Sequence, residues 1–218
     1  MAPFGYPVMF ELSGRRVVVI GSLPICEAKV EGLLAGGATD VLVVATGPSA
    51  RLDELEALAE VRVERRSWRP DDLDGAALVI AHHPDAQERD AIARAARTRG
   101  AFVNVVDDAP NCDWAMPSTV RRGDLLLAIG TGGASPALSK QLRRRLESEF
   151  GPEWAEVLRV LREVRETTMS ALPDFAERAR RWGEALDPDE AAALVREGRA
   201  NELRARLTAR LLEGVPAA

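Results

Sequence analysis

Asp107 is the residue of this sequence whose type and position best suit acid–base chemistry. It follows the apolar run Phe102 to Val106, in which Asn104 is polar. In open α/β sheets, ligands bind beyond the carboxyl ends of the strands, so a carboxylate placed there faces the ligand cleft. Asp107 is therefore the strongest candidate for a catalytic residue in this sequence. An isolated aspartate at a strand end is also common in Asx turns and helix caps, and the residues alone leave that interpretation open.

A glycine-rich loop forms a second group. The segment Gly130 to Pro136 holds three glycines in its first four positions, and Ser135 and Pro136 have the residue types of an N-cap and a first helical residue. Free backbone amides and the helix dipole favour an anion at such a helix start. The loop therefore predicts binding of a carboxylate or a phosphate. A flexible turn with an ordinary N-cap is the alternative, but it explains Ser135 and not the glycines.

The residues after the other strands predict a cofactor site. Gly21 ends the run Arg16 to Ile20, and Leu23 stands where the G-x-G-x-x-G pattern has its second glycine. A tight turn explains a lone glycine equally well. Leu23 adds bulk where a pyrophosphate would approach the backbone, and Pro24 removes an amide donor, so both weaken the predicted phosphate site. The predicted cofactor-binding residues at these strand ends are Gly21, Ser22, Leu23, Ile25, Thr46 and His82.

Two adjacent histidines and two cysteines complete the reactive side chains. His82 and His83 follow the fourth apolar run, where an imidazole can handle protons near neutral pH or bind a metal. Side chains of sequence neighbours diverge in an extended loop, so two ordinary loop histidines are the alternative. Cys26 and Cys112 lie far apart and outside any C-x-x-C pattern. We therefore expect both cysteines to be small packing residues, and we expect neither a disulfide framework nor a resident metal site.

Length and charge exclude several functional classes. The chain has 218 residues and a formal net charge of −5, which argues against an electrostatic binder of nucleic acid. Its longest apolar run, Ala76 to Ala81, is far shorter than the roughly 20 residues of a spanning helix, and no secretory signal is recognisable. We therefore expect a soluble, cytoplasmic protein that binds neither nucleic acid nor membrane.

The order of the elements predicts an α/β fold. Short apolar runs alternate with helical patterns through the first half, as in a Rossmann-like parallel sheet covered by helices. Leu52, Leu55 and Leu58 are predicted to line the buried side of one such helix. A hairpin around Arg122 to Asp124 follows, and then helices only. We expect three parts: a Rossmann-like domain at 1–115, a dimerisation segment with the glycine-rich loop at 116–150, and a small all-helical domain at 151–218.

The motifs stand in the order of one known family. They are Tyr6-Pro-Val-Met-Phe10 with Leu12, Gly14 and Arg15, then Gly21 after a strand, Lys29, Asn104-Val-Val-Asp107, Cys112-Asp113, Met116-Pro117, Arg121-Arg-Gly-Asp124 and Gly132-Gly-Ala-Ser-Pro136. Over residues 3 to 150 the sequence resembles the precorrin-2 dehydrogenase and sirohydrochlorin ferrochelatase family, the amino-terminal unit of siroheme synthase. The combination of motifs is specific, although no single motif is.

The resemblance implies a homodimer that oxidises the tetrapyrrole precorrin-2 to sirohydrochlorin with NAD. Some members of the family also insert ferrous iron, a substrate, to give siroheme. Asp107 matches the catalytic aspartate, for which the resemblance implies the role of general base. Arg121, Arg122 and the amides near Ser135 are implied partners of the substrate's carboxylates. The implied substrate-binding residues are Asn104, Met116, Pro117, Thr131, Gly132, Gly133 and Ser135.

Two departures from the family pattern keep alternatives open. Gly21-Ser22-Leu23 stands in place of three consecutive glycines, and His82-His83 in place of small and hydroxylated residues. Both departures fall on the expected cofactor side. The alternative to an NAD-dependent dehydrogenase is therefore a chelatase, or a non-catalytic tetrapyrrole-binding protein, that has lost NAD binding and uses an imidazole for protons or metal.

Overall fold

A computed structural model of the chain describes residues 4–21 and 23–215, which form two compact units that divide between Met116 and Pro117. The first unit contains the strands β1 (Arg16–Gly21), β2 (Asp40–Ala45), β3 (Arg62–Glu64), β4 (Leu78–Ala81) and β5 (Phe102–Val105). They form one parallel sheet in the order β3-β2-β1-β4-β5. The predicted Rossmann-like sheet is confirmed.

Helices connect these strands and cover the sheet. They are α1 (Leu23–Ala35), α2 (Ala50–Ala57) and α3 (Ala86–Thr98). Side chains cap two of them, because the Ser49 hydroxyl accepts from the Leu52 amide at 3.1 Å and the Asp85 carboxylate accepts from the Gln87 amide at 2.7 Å. Short 3₁₀ turns at Pro70–Leu73 and Ala109–Asn111 were not predicted.

The sheet has a hydrophobic core on each face, because its strands are aliphatic on both sides. The core under α1 and α2 includes Val17, Val19, Cys26, Val30, Leu33, Val43 and Leu52. The core under α3 includes Val18, Leu42, Leu73, Val79 and Ile92. Successive residues of one strand therefore pack into the cores on opposite faces of the sheet.

One predicted core residue is exposed. Leu52 and Leu55 are buried as predicted, whereas Leu58 is 68% exposed. The helix α2 ends at Ala57, and Leu58 is its C-cap, so Leu58 lies beyond the last residue of the helical stripe. The prediction that Leu58 lines the buried side was wrong because the leucine spacing continues past the end of the helix.

The second unit begins with the predicted hairpin of β6 (Ser118–Arg122) and β7 (Leu125–Ile129), which pair antiparallel. Gly123 in the turn has a φ of +56°, and a Cβ atom there would lie 3.0 Å from the Cβ of Ala155. Glycine is therefore required both by the backbone of the turn and by its close approach to Ala155.

The rest of the second unit is helical, as predicted. Its helices are α4 (Pro136–Glu149), α5 (Glu153–Thr168), α6 (Phe175–Ala185), α7 (Pro188–Arg196) and α8 (Ala200–Leu212). The last four share a core that includes Val157, Val160, Val164, Leu203, Leu207 and Leu211. The division into functional parts at residues 115 and 150 stays a prediction. Within residues 4–21 and 23–215, no helix is long and apolar enough to cross a membrane.

Candidate functional site

Asp107 lies in a turn directly after β5, at the carboxyl edge of the sheet. Its φ is +59°, in the left-handed region, and its side chain is exposed. Few residues other than glycine adopt this conformation, and aspartate is among those that tolerate it best. The turn is closed by the Asp108 amide, which donates to the Val105 carbonyl at 3.1 Å. The backbone thus presents the Asp107 carboxylate to solvent instead of folding it back as a cap.

Cys112 holds this turn from within. Its thiol lies 3.1 Å from the Val105 carbonyl and 3.3 Å from the Asp108 carbonyl, and its sulphur accepts from the Val105 amide at 3.3 Å. Burial raises the pKa of the Cys112 thiol, which keeps it protonated and able to donate. The cysteine is therefore a structural donor in the support of Asp107.

Arg89 of α3 ties the turn to the loop after β4. Its Nε donates to Asp108 Oδ2 at 2.8 Å, and its Nη1 donates to the carbonyls of His83 at 3.1 Å and Pro84 at 3.0 Å. The guanidinium of Arg89, and next the amide of Asn111, hold the pKa of Asp108 below its usual range. Asp108 is therefore an anchor of the turn, which separates its role from that of its neighbour Asp107.

The chain beyond the turn runs back along β5. The Asn104 side-chain amide donates to the Trp114 carbonyl at 2.8 Å, and the Asp113 carboxylate accepts from the Val103 amide at 3.1 Å. Arg97 also donates to Asp113 at 2.9 Å. These bonds hold the segment that carries the predicted substrate-binding residue Met116, which is exposed.

Lys29 lies close to Met116 and within the range of the charge of Asp107, and sequence reasoning assigned it no role. Its Nζ is 4.0 Å from the Met116 sulphur. Burial lowers the pKa of the Lys29 ammonium, and the charge of Asp107 opposes that change. The signal that could have found it is the helical spacing of Cys26, Lys29 and Leu33, which sets a lysine on a stripe of core residues.

The predicted cofactor residues that the structure describes lie at the carboxyl ends of β1, β2 and β4. Gly21 ends β1, Thr46 follows β2, His82 follows β4, and Ile25 lies in the first turn of α1. Since β2 and β4 lie on opposite sides of β1, this edge is the topological switch point where α/β sheets bind ligands. Ser22 and the Leu23 side chain lie outside the described part of the chain.

Gly21 fits the requirement of a dinucleotide loop. Its φ is +141°, and a Cβ atom there would lie 2.3 Å from the His82 carbonyl oxygen, so the loops after β1 and β4 can approach only through glycine. The first turn of α1 holds no acidic residue that would repel a phosphate. Leu23 is the first helical residue, a backbone conformation open to leucine. These features suit NAD at this edge.

The two histidines differ in their surroundings. The His82 amide donates to the Ile20 carbonyl at 2.8 Å, which fixes the loop against β1. The His83 Nδ1 accepts from the Asp85 amide at 3.2 Å, so the proton of a neutral His83 ring lies on Nε2. This bond occupies a nitrogen lone pair that a metal would need. Within residues 4–21 and 23–215, no group of three His, Cys, Asp or Glu side chains could hold a metal ion.

The second unit carries the other predicted substrate residues, of which Pro117 directly precedes β6. The Ser135 hydroxyl accepts from the Leu138 amide at 3.1 Å as the predicted N-cap, and the Thr131 hydroxyl lies 3.2 Å from that of Ser139. Gly132 and Gly133 have positive φ angles of +59° and +80°. Both glycines are exposed, which leaves this loop open to an anion.

Arg122 stabilises the carboxyl end of α4, a role that the sequence did not predict. Its guanidinium donates to the carbonyls of Phe150 at 2.9 Å, Glu147 at 3.1 Å and Arg121 at 3.0 Å. Two of these carbonyls belong to the carboxyl end of α4, where a cation is favourable. Arg122 therefore caps α4, and its binding of a substrate carboxylate stays a prediction.

Comparisons with known proteins agree with this architecture. Residues 8–118 match a family model described as "Putative NAD(P)-binding", and residues 122–149 match one described as "Sirohaem biosynthesis protein central". The chain is 33% identical to the siroheme synthase of Methylococcus capsulatus over 196 residues, which are 90% of this chain and 41% of that protein. It is also 33% identical to the siroheme synthase of Xylella fastidiosa over 215 residues, 95% of this chain and 44% of that protein.

The chain thus spans less than half the length of these curated relatives. Among solved structures, SirC, a precorrin-2 dehydrogenase, superposes with a TM-score of 0.73 at 27% identity, and the match covers 93% of this chain and 98% of that one. The chain therefore belongs to the family described as putative NAD(P)-binding, and its segment 122–149 is similar to the central part of sirohaem biosynthesis proteins, as the resemblance of its motifs implied.

Proposed function

We propose that this chain oxidises precorrin-2 to sirohydrochlorin with NAD as the hydride acceptor. The observation that carries the proposal is Asp107, an exposed carboxylate held in a left-handed turn at the ligand edge of an NAD(P)-binding sheet. The match over almost the whole of SirC, a precorrin-2 dehydrogenase, supports the choice of reaction.

The residues at the switch point would hold the cofactor. Gly21 would keep the turn after β1 and the loop after β4 close together at the cofactor, with Ile25, Thr46 and His82 around it. When bound, NAD supplies the acceptor for one hydride from the substrate. The helical backbone of Leu23 supports a working site, since a glycine is not needed for that conformation.

Asp107 would take the proton that the macrocycle loses. Oxidation of precorrin-2 removes two electrons and two hydrogens, one as the hydride and one as a proton, so a base must stand beside the ring. The exposed carboxylate can pass the proton on to water. Arg89 and Cys112 would keep the carboxylate in place while it does so.

Anaerobic spectroscopy tests this function. Purified protein is mixed with precorrin-2, with and without NAD, and the spectrum of sirohydrochlorin is followed before any metal is added. We expect NAD-dependent conversion by the wild type. Asp107→Asn keeps the size and the left-handed tolerance of aspartate and should lose turnover while it still binds pigment.

Other outcomes point to the alternative functions. Pigment binding without NAD-dependent conversion would contradict the dehydrogenase and favour a chelatase or a tetrapyrrole-binding protein. Ferrous iron added after the conversion tests iron insertion, with formation of siroheme as the readout.

Both cysteines are free thiols, which suits the reducing cytoplasm in which we propose the reaction takes place.

We also propose that the chain acts as a homodimer through α4 and β7. Not one residue of α4 is buried, and Leu138 and Leu142 on its apolar stripe are 46% and 36% exposed. A groove of about 480 Å³ runs along this stripe. It is lined by Ala128, Ile129, Gly130, Leu142, Arg145, Leu146 and Glu149.

The charges beside the groove suit a second copy of the chain. Arg145 and Glu149 are exposed, and within the described residues neither is in an ion pair. In a twofold contact each residue can face the opposite charge on the partner. We expect light scattering to give a dimer mass for the wild type and a monomer mass for Leu142→Asp.

Charge reversal provides the matched test of this interface. Arg145→Glu should weaken the dimer, and the same change combined with Glu149→Arg should restore it. Lys140→Glu is the control, because Lys140 lies two residues from Leu142 and thus on the opposite side of the helix. A monomeric wild type, or a dimer that tolerates Leu142→Asp, would contradict the proposal.

A further inference from the structure

Lys29 lies on the side of α1 that faces the core. Cys26, Val30 and Leu33 are fully or almost fully buried at the spacing of one helical face, and Lys29 stands among them at i+3 from Cys26. Its side chain is half-buried. A lysine in such a stripe is unusual, because its ammonium must give up part of its hydration.

The described residues stabilise the ammonium of Lys29 only weakly. Its hydrogen-bond partner among the described residues is the Met116 sulphur at 4.0 Å, and a thioether is a weak acceptor. Asp107 acts on Lys29 through its charge, without the close contact of an ion pair. An ammonium has three donors, so Lys29 retains donors for a ligand.

The neighbours of Lys29 belong to the candidate site. Val106 and Trp114, which stand on either side of the Asp107 turn in sequence, pack on the same core as α1. Met116 and Asp107 are exposed, so the ammonium lies at the rim of the core, where a ligand can reach it. The predicted ligand, a tetrapyrrole with eight carboxylates, carries the charge that a lysine binds.

We propose that the ammonium of Lys29 binds a carboxylate of the tetrapyrrole beside Asp107, an inference that rests on the proposed function. The desolvation that lowers the pKa of Lys29 agrees with a site that a ligand carboxylate completes.

Equilibrium binding of sirohydrochlorin under anaerobic conditions tests the proposal. Lys29→Met keeps the length of the side chain and removes its charge. It should raise the dissociation constant of the pigment by about tenfold or more, the effect of losing one charge-assisted hydrogen bond. The dissociation constant of NAD should stay within about twofold. Lys140→Met is the control, because Lys140 is the other lysine of the chain and is exposed.

A measurement on the wild type avoids any question of how the variant folds. The chain has two lysines, so isotopic labelling of lysine gives one side-chain NMR signal each for Lys29 and Lys140. Sirohydrochlorin should raise the pKa of Lys29, because a bound carboxylate favours the ammonium, and should leave Lys140 unchanged.

The outcomes separate this inference from the proposed function. The inference would be overturned if folded Lys29→Met bound the pigment with unchanged affinity. It would also be overturned if the pKa measured from the Lys29 NMR signal did not change when the pigment is added. Weaker NAD binding with normal pigment binding would also overturn it, because the cation would then serve a phosphate. A wild type that converts precorrin-2 in these cases keeps the proposed function, whereas one that neither binds nor converts tetrapyrrole overturns both.

Discussion

Arg89→Met should destabilise the first unit by removing the tie between the loops after β4 and β5. Arg89 makes one charge-assisted bond to Asp108 and two bonds to backbone carbonyls, and the ion pair is largely shielded, with side-chain exposures of 26% and 16%. A hydrogen bond to a charged group contributes roughly 1.5–3 kcal/mol. Water can replace Arg89 at the two carbonyls. We therefore expect a loss of about 2 kcal/mol in the free energy of unfolding at pH 7.

The loss should depend on pH with a definite sign. Arg89 holds the pKa of Asp108 below its usual value in the folded state, so the pair stabilises the protein above the unfolded pKa of about 3.9. This contribution disappears as the pH falls through the lowered folded-state pKa. The difference between wild type and Arg89→Met should therefore be largest near neutral pH and shrink below about pH 4.

Urea unfolding of both proteins between neutral and acid pH measures this difference. Arg51→Met is the matched control, because Arg51 forms exposed ion pairs with Glu31 and Glu54, and such pairs contribute little to stability. Two results would refute the reasoning. One is a destabilisation by Arg89→Met no larger than that of the control, and the other is a loss of the same size at every pH.

Two further predictions concern glycines. Gly21→Ala should abolish NAD binding, which calorimetry measures. The new Cβ would lie 2.3 Å from the His82 carbonyl oxygen and would force the loops after β1 and β4 apart. A normal NAD affinity of this variant would contradict the proposed cofactor site. Gly123→Ala should lower the free energy of unfolding by about 1–3 kcal/mol, because the turn needs a positive φ and the new Cβ of residue 123 would press on Ala155. An unchanged midpoint of urea unfolding would contradict this, because the hairpin would then be able to move away from Ala155.

The order and type of the elements could be predicted because local signals and tertiary packing agree. Aliphatic runs such as Val17 to Ile20 are buried on both faces of a parallel sheet, and Ser135 caps α4 as its residue type suggested. The Leu58 prediction failed because spacing alone does not show where a helix ends. The apolar stripe of α4 could be predicted from its spacing, but its exposure could not, because a periodic pattern does not show which surface packs against the stripe.

The candidate site could be predicted only as a set of positions. Asp107 and Gly21 follow strands, and that rule places them at the ligand edge. The left-handed φ of Asp107 depends on contacts from Cys112 and Arg89, which are brought there by the fold. The role of Arg122 could not be predicted, because the carbonyls it caps lie far along the chain.

The central position of β1 has a consequence for how the chain is made. Val17 pairs with Val41 on one side and with Leu78 on the other, much farther along the chain. During synthesis, β1 therefore has an uncovered aliphatic edge until β4 emerges, and such an edge can pair with the wrong strand. The second unit, with its hairpin and sequential helices, closes through short loops. Nascent chains should thus be most prone to aggregation before the ribosome has released β4.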